Sequence, residues 1–227
     1  MKNLRINFIS IILLLAVGLS FSANPVAVVI KSKGSVSVKK ADSKIDSKIN
    51  RGYRLESGDQ VVTGKDGNIA IKFIDDASLV RIRPNSTCVI NTTKEDAGIA
   101  KNIFVEVGTI FSKITSQKAS YRVSTPTSVA SVKGTIFWTV QEFKGGTFYF
   151  GEDGVVELSN EKGSALLREG ETGYVSSLNA KPIVRKTKPG EKPQLDDDEE
   201  SIDEFEFEFQ NDQGLRKTLK FKAKKIK

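Results

Sequence analysis

Between Ala23 and Leu178 the apolar residues fall at every second position in short runs. Val26, Val28 and Ile30 share one face of an extended segment, as do Ile69, Ile71 and Phe73, then Ile103, Val105 and Val107, then Ile136, Trp138 and Val140. A period of two is that of a half-buried strand. Turn signals separate the runs: Lys33-Gly34-Ser35, Ser57-Gly58-Asp59, Lys65-Asp66-Gly67-Asn68, Pro84-Asn85-Ser86, Lys144-Gly145-Gly146, Glu152-Asp153-Gly154, Glu161-Lys162-Gly163 and Glu169-Gly170-Glu171. No helical period is sustained in this stretch. The pattern predicts an all-β unit over residues 23–178, built of many short strands as a sandwich, barrel or stacked β-roll.

The two ends differ from this middle. Lys2 and Arg5 precede an apolar run from Ile6 to Leu19, too short and interrupted for a membrane span of about 20 residues, with small Ser20 and Ser22 after it. Residues 1–22 therefore read as a signal peptide cut before Ala23, the alternative being an uncleaved anchor. After Leu178, Pro182, Pro189 and Pro193 lie in a lysine-rich stretch with few apolar residues, followed by an acidic run, and residues 179–203 are expected to be a solvated linker. Residues 204–227 then alternate again. Phe205, Phe207 and Phe209 are interleaved with Glu204, Glu206 and Glu208, and Leu215, Lys217, Leu219 and Phe221 with Arg216, Thr218, Lys220 and Lys222. This predicts a charged hairpin followed by a basic tail. With Phe209 opposite Leu215, Glu208 faces Arg216 and Glu204 faces Lys220. A two-stranded hairpin is marginal alone, so its Phe face, beside Lys217 and Leu219, is a candidate interaction surface, and Lys220 and Lys222 on the charged face are further interaction candidates.

Charge changes where partners are sought. The 227 residues carry 35 Lys+Arg and 28 Asp+Glu, a net +7 that becomes +5 without Lys2 and Arg5. Nine acidic residues and no basic ones occupy Asp196 to Glu208, whereas seven basic residues and only Asp212 occupy Asn211 to Lys227. For an exported chain nucleic acid is a poor partner; an envelope protein, an anionic envelope polymer or a membrane surface touched by the basic tail suits such a charge. The expected location is the periplasm or cell envelope. With no His and a single Cys, no Ser-His-Asp or Cys-His pair, disulfide or imidazole or thiolate metal cage can form.

The remaining candidate chemistry is weak. Thr63-Gly64-Lys65 has Asp66 where a phosphate loop needs Ser or Thr. Asp75 and Asp76, adjacent at a turn, are expected to point apart and stay solvated. The run Asp196 to Glu200 lacks the glycine turn and distal Glu of a calcium loop. Cys88 reads as a buried, inert thiol. Trp138, near Phe137, Phe143, Phe148 and Phe150, reads as core in preference to a sugar-binding face. No catalytic, cofactor-binding or metal residue is assigned.

Two strings are more specific. Gly58-Asp59-Gln60-Val61-Val62-Thr63-Gly64 precedes Phe73, Ser78 and Pro84-Asn85-Ser86. Farther on, Thr125-Pro126-Thr127-Ser128-Val129-Ala130-Ser131-Val132-Lys133-Gly134-Thr135 is followed by Phe137. Together they resemble the FecR domain family over a core of residues 58–173. The resemblance implies an exported β-rich module of the β-roll or sandwich kind, whose namesake relays a ferric-citrate receptor signal to a sigma factor across the inner membrane. Physically the residues read as architecture: Pro126 fixes φ and extends Thr125, Gly134 permits a tight corner, and Asp59 can accept backbone N–H groups around Gly58.

The expected function is that of a non-enzymatic envelope binding or sensory module. The alternative is a component of iron-related signalling that reaches a sigma factor through a separate membrane partner, since no cytoplasmic region stands before the apolar segment. An envelope glycosidase would need a separated, apolar-flanked carboxylate pair, which the sequence does not offer.

Overall fold

The computed structural model describes residues 24–41, 43, 46–115 and 119–195, and the backbone of 205–210 and 216–221. The expected signal peptide, the acidic run, Glu204 and Lys222 lie outside the described residues. In chain order the strands are β1 (Ala27–Lys33), β2 (Val36–Lys39), β3 (Asp46–Lys48), β4 (Arg54–Leu55), β5 (Asp59–Thr63), β6 (Asn68–Phe73), β7 (Leu79–Ile82), β8 (Thr87–Glu95) and β9 (Gly98–Lys113). They continue as β10 (Tyr121–Ser124), β11 (Val129–Val132), β12 (Ile136–Gln141), β13 (Thr147–Asp153), β14 (Val155–Asn160), β15 (Gly163–Arg168), β16 (Glu171–Val175) and β17 (Ile183–Lys186). The described residues contain no helix, and the all-β class expected from the alternation is the observed one.

The strands form two facing layers. One runs β4-β1-β6-β7-β9-β12-β13-β16-β17. The other runs β3-β2-β5-β8-β9-β10-β11-β14-β15, with β9 and β10 parallel and every other pair antiparallel. Strand β9 belongs to both: Gly98–Val107 pairs with β8, and Ile110–Lys113 pairs with β7. Hairpins are laid alternately on the two layers, so the sandwich is a rolled one in which the chain repeatedly crosses from layer to layer.

Alternation explains the core. Inward residues of the first layer, among them Val29, Ile71, Phe73, Val80, Ile110, Phe137 and Tyr149, meet Val38, Val61, Cys88, Ile90, Ile103, Val105, Val123 and Leu158 of the second in one continuous cluster. Each of these side chains, once buried, contributes about 1.5–3 kcal/mol against chain entropy. Burial pushes the Cys88 thiol far above its ordinary range, with the negative charge of Glu106 adding to the effect, so it packs as a small apolar group.

The first layer also buries part of its outer face. Phe111, Trp138 and Phe150 are buried there, flanked by Ile136, Val140 and Phe148, and Leu195 packs on them. Trp138 is therefore buried, as expected, but on the outer side of its sheet. Its cover corrects the reading of residues 179–195 as solvated linker. Ile183–Lys186 adds to the sheet edge as β17, and residues 187–195 fold back as a strap. An edge strand needs only one apolar face, and here the charged groups have partners. Arg185 pairs with Glu191, Lys186 with Glu171, and Lys192 Nζ lies 2.7 Å from Glu152 Oε1, the atom that also accepts the Trp138 indole N–H at 2.9 Å.

The C-terminal hairpin is present as β18 (Phe205–Gln210) and β19 (Arg216–Phe221). Its register differs from the expected one by two residues: Phe209 stands opposite Lys217, Phe207 opposite Leu219 and Glu206 opposite Lys220. A shift of two leaves every residue on its own face, so alternation fixes the faces but not the partners.

The strap should be pH-sensitive. Hydrogen bonds from Arg185 and from the Lys188 N–H hold Glu191 down to about 2. A depressed carboxylate supports the fold above its unfolded pKa and stops doing so as pH falls through the folded value. Emission of Trp138, the sole tryptophan, should shift to the red as pH drops from about 4.5 toward 2, and Glu191→Gln should give part of that shift at pH 7. Identical spectra for the variant and the wild type would show that Glu191 does not hold the strap.

Candidate functional site

The sequence-selected residues cluster at the crossings between layers. Before β5, Gly58 has φ of +90°, and Asp59, 1% exposed, accepts the Glu56 N–H at 2.9 Å and Lys40 Nζ at 3.1 Å. Burial pulls the Lys40 ammonium down, but its bonds to Glu56 and Asp59 prevail and hold it above the ordinary lysine range. Phe73 ends β6 in the core, and its N–H donates to the Ser78 carbonyl at 2.9 Å while Ser78 Oγ accepts the Thr115 N–H at 3.1 Å.

The next crossing joins four such residues. Thr63 Oγ1 donates to the Arg83 carbonyl at 2.6 Å and accepts the Ser86 N–H at 2.9 Å, and the Asn85 N–H donates to the Gly64 carbonyl. Asn85 adopts φ of +55°, a conformation asparagine tolerates. Ser86 Oγ then accepts the Thr109 N–H at 3.0 Å, next to Gly108 where β9 passes between layers.

The second string builds a buried hydroxyl network. Thr125 Oγ1 accepts the N–H groups of Thr127 and Ser128 at 3.3 and 3.2 Å and lies 2.9 Å from Thr147 Oγ1. Thr127 Oγ1 is 2.6 Å from Thr147 Oγ1, which donates to Gln141 Oε1, and Ser128 Oγ is 2.9 Å from the Tyr149 hydroxyl. Pro126 is exposed above this network; Val129 and Ser131 face outward on β11 and Val132 inward. Lys133 is exposed, Gly134 has φ of +78° at the crossing to β12, and the carbonyl of buried Thr135 accepts the Ile114 N–H at 2.9 Å. These side chains bond within the protein, and the geometry brings them to corners, not to a common cleft.

Sequence reasoning missed one cluster. Lys101 is 1% exposed, and its Nζ lies 2.6 Å from Asp75 Oδ2 and 2.8 Å from Asp76 Oδ2. Asp75 and Asp76 do not point apart into water, as expected of turn neighbours: both turn to the same ammonium, because a buried cation demands compensation. The signal was in the sequence, since Lys101 occupies the inward phase of Lys101, Ile103 and Val105. Of the hairpin candidates, Phe205, Phe207, Phe209 and Lys220 lie on paired backbone.

Residues 59–157 match the FecR protein family. The chain carries a FecR domain. No curated protein gives a significant match. Two crystal structures of a protein from Parabacteroides distasonis ATCC 8503, described as a "putative anti-sigma factor", are similar with a TM-score of 0.48 and 14% identity; the likeness covers 56% of this chain and 59% of theirs, less than two thirds of their length. The FecR match begins at Asp59 and ends in β14, so it takes in the crossings at Ser86, Gly108 and Gly134 but not β1 to β4, the strap or the hairpin.

Among the described strands, β3, β15 and β17 each pair with a single neighbour. Strand β15 pairs with β14 alone, and Val155 and Leu166 are 46% and 48% exposed on the outward face of that hairpin.

Thr147→Val should cost about 1–3 kcal/mol in urea unfolding, because Gln141 Oε1 and the Thr127 hydroxyl lose a buried partner. Ser131→Ala, in the same string but facing outward, should stay within about 0.5 kcal/mol. Equal costs would detach the string from the hydroxyl network.

Proposed function

We propose that this FecR-type chain is an exported, non-enzymatic recognition module of the bacterial envelope that takes a protein partner along strand β15. The observation carrying this reading is the edge itself. Gly163–Arg168 reads Gly-Ser-Ala-Leu-Leu-Arg, six residues with no proline, no lysine and an exposed Leu166. Proteins usually blunt such an edge with charge, proline or a bulge, since its unpaired N–H and C=O groups template another strand. The neighbouring edge of the facing layer is treated differently: β17 also exposes an apolar side chain, Ile183, but it ends in Arg185 and Lys186 and runs on into the strap. A partner strand added to β15 would gain backbone bonds, and Val155 and Leu166 would supply apolar contact. An anionic polymer is less suited, because Glu157 and Glu161 stand beside Lys162 and Arg168 there. The FecR domain supports a role in signalling, in which such an edge would receive or pass on a contact.

A photo-reactive residue replacing Leu166 in the producing bacterium should yield one protein adduct that is absent when Lys65, on a remote exposed turn, is replaced instead. Leu166→Glu should weaken that partner's binding about tenfold or more and leave stability within about 0.5 kcal/mol. Adducts equally frequent at both positions, or adducts to polysaccharide, would overturn the proposal.

A further inference from the structure

The Lys101 cluster has a geometry that the recognition reading does not use. The Lys101 side chain is 0% exposed; besides the two carboxylates its Nζ reaches the Ile99 carbonyl at 3.4 Å and lies 5.2 Å from the centroid of the Phe73 ring, against which Tyr121 packs edge-on at 6.2 Å. The two acids are not equivalent. Asp76 is the drier, its side chain 11% exposed against 27% for Asp75, and its Oδ1 accepts the Ser78 N–H at 2.8 Å. An amine and a carboxyl group held at contact distance beside a second carboxylate, walled by aromatic rings and shielded from bulk water, are the components of an amide condensation.

We propose that Lys101 and Asp76 join in an intramolecular isopeptide bond, with Asp75 as the proton carrier. Nζ first passes a proton to Oδ2 of Asp76 along the 2.8 Å contact, leaving a neutral amine and a carboxylic acid. The amine lone pair then attacks Cγ of Asp76, forming the N–C bond, while the Asp75 carboxylate takes a proton from Nζ. The Ser78 N–H donates to the oxygen on which negative charge gathers, as an oxyanion donor does. Asp75 returns its proton to the Oδ2 hydroxyl, the C–O bond breaks and one water departs on the more exposed Asp75 side. Ammonium and two carboxylates become a neutral amide and one carboxylate, so charge and protons balance and no oxidant or cofactor is consumed. Held groups react with effective molarities of about 10⁵ M or more, so the geometry supplies the rate of the condensation. The product ties the β6–β7 turn covalently to β9, the strand shared by both layers, and replaces a costly buried ion group with a neutral one.

Intact mass spectrometry of the full folded chain after denaturation tests this. The wild type should be lighter than its sequence by one water, and trypsin should yield a branched peptide joining the Asp76 and Lys101 stretches, uncut after Lys101. Lys101→Arg and Asp76→Ala should show full mass, and Asp75→Asn should form the bond at least tenfold more slowly. Should these variants fail to fold, the wild-type digest decides alone. Full mass with linear peptides overturns the proposal, as does a loss of water with linear peptides only, such as a succinimide at Asp66–Gly67 gives; a branch at Asp75 overturns the assignment of roles.

Discussion

The structure depends on one bend. Strand β9 can serve two layers only if it turns sharply between Val107 and Thr109, and it does so at Gly108 with φ of +106°. A Cβ there would lie 2.2 Å from Ser86 Oγ and 2.5 Å from Ser86 Cα, closer than any side chain tolerates. The corner that carries Ser86 therefore presses against the bend and fixes Thr109 through Ser86 Oγ. Thr63 and Asn85 are needed because Ser86 must be held where Gly108 leaves room.

Seen from this bend, the FecR strings describe how a chain crosses repeatedly between two sheets. The Thr125 to Ser128 network secures the β10–β11 turn against β13, and Gly134 admits the crossing into β12. These polar residues are buried because corners leave backbone groups without ladder partners, and short hydroxyl side chains can supply them. The proposed recognition would then use surfaces the scaffold leaves open, above all the β15 edge. The Lys101 group sits on β9 seven residues before the bend, so anything that fastens it fastens both layers.

Much of this was legible in the alternation. The runs around Val28, Ile71, Val105 and Trp138 each became strands, because a half-buried strand must alternate. The roles of Pro126, Gly134 and Asp59 at corners followed from their backbone chemistry. What alternation could not carry was pairing across distance. The sharing of β9 depends on a single glycine within a sixteen-residue strand. The strap was hidden because its lysines and prolines resemble a solvated segment until Glu191 and Glu152 are seen beside them. Asp75 and Asp76 looked like turn polarity until Lys101, about 25 residues on, was brought to them by the fold.

The most direct test compares two glycines of positive φ. Gly108→Ala meets Ser86, whereas Gly170→Ala, with φ of +70°, meets nothing within 4 Å. Gly170 lies in the left-handed region, which alanine enters at a cost of about 1–2 kcal/mol, so urea unfolding should give that figure for Gly170→Ala and at least about 2 kcal/mol more for Gly108→Ala, where φ lies beyond that region and overpacking adds to the cost. Equal losses would contradict the account, because they would mean that the passage of β9 between the layers does not rest on its contact with Ser86.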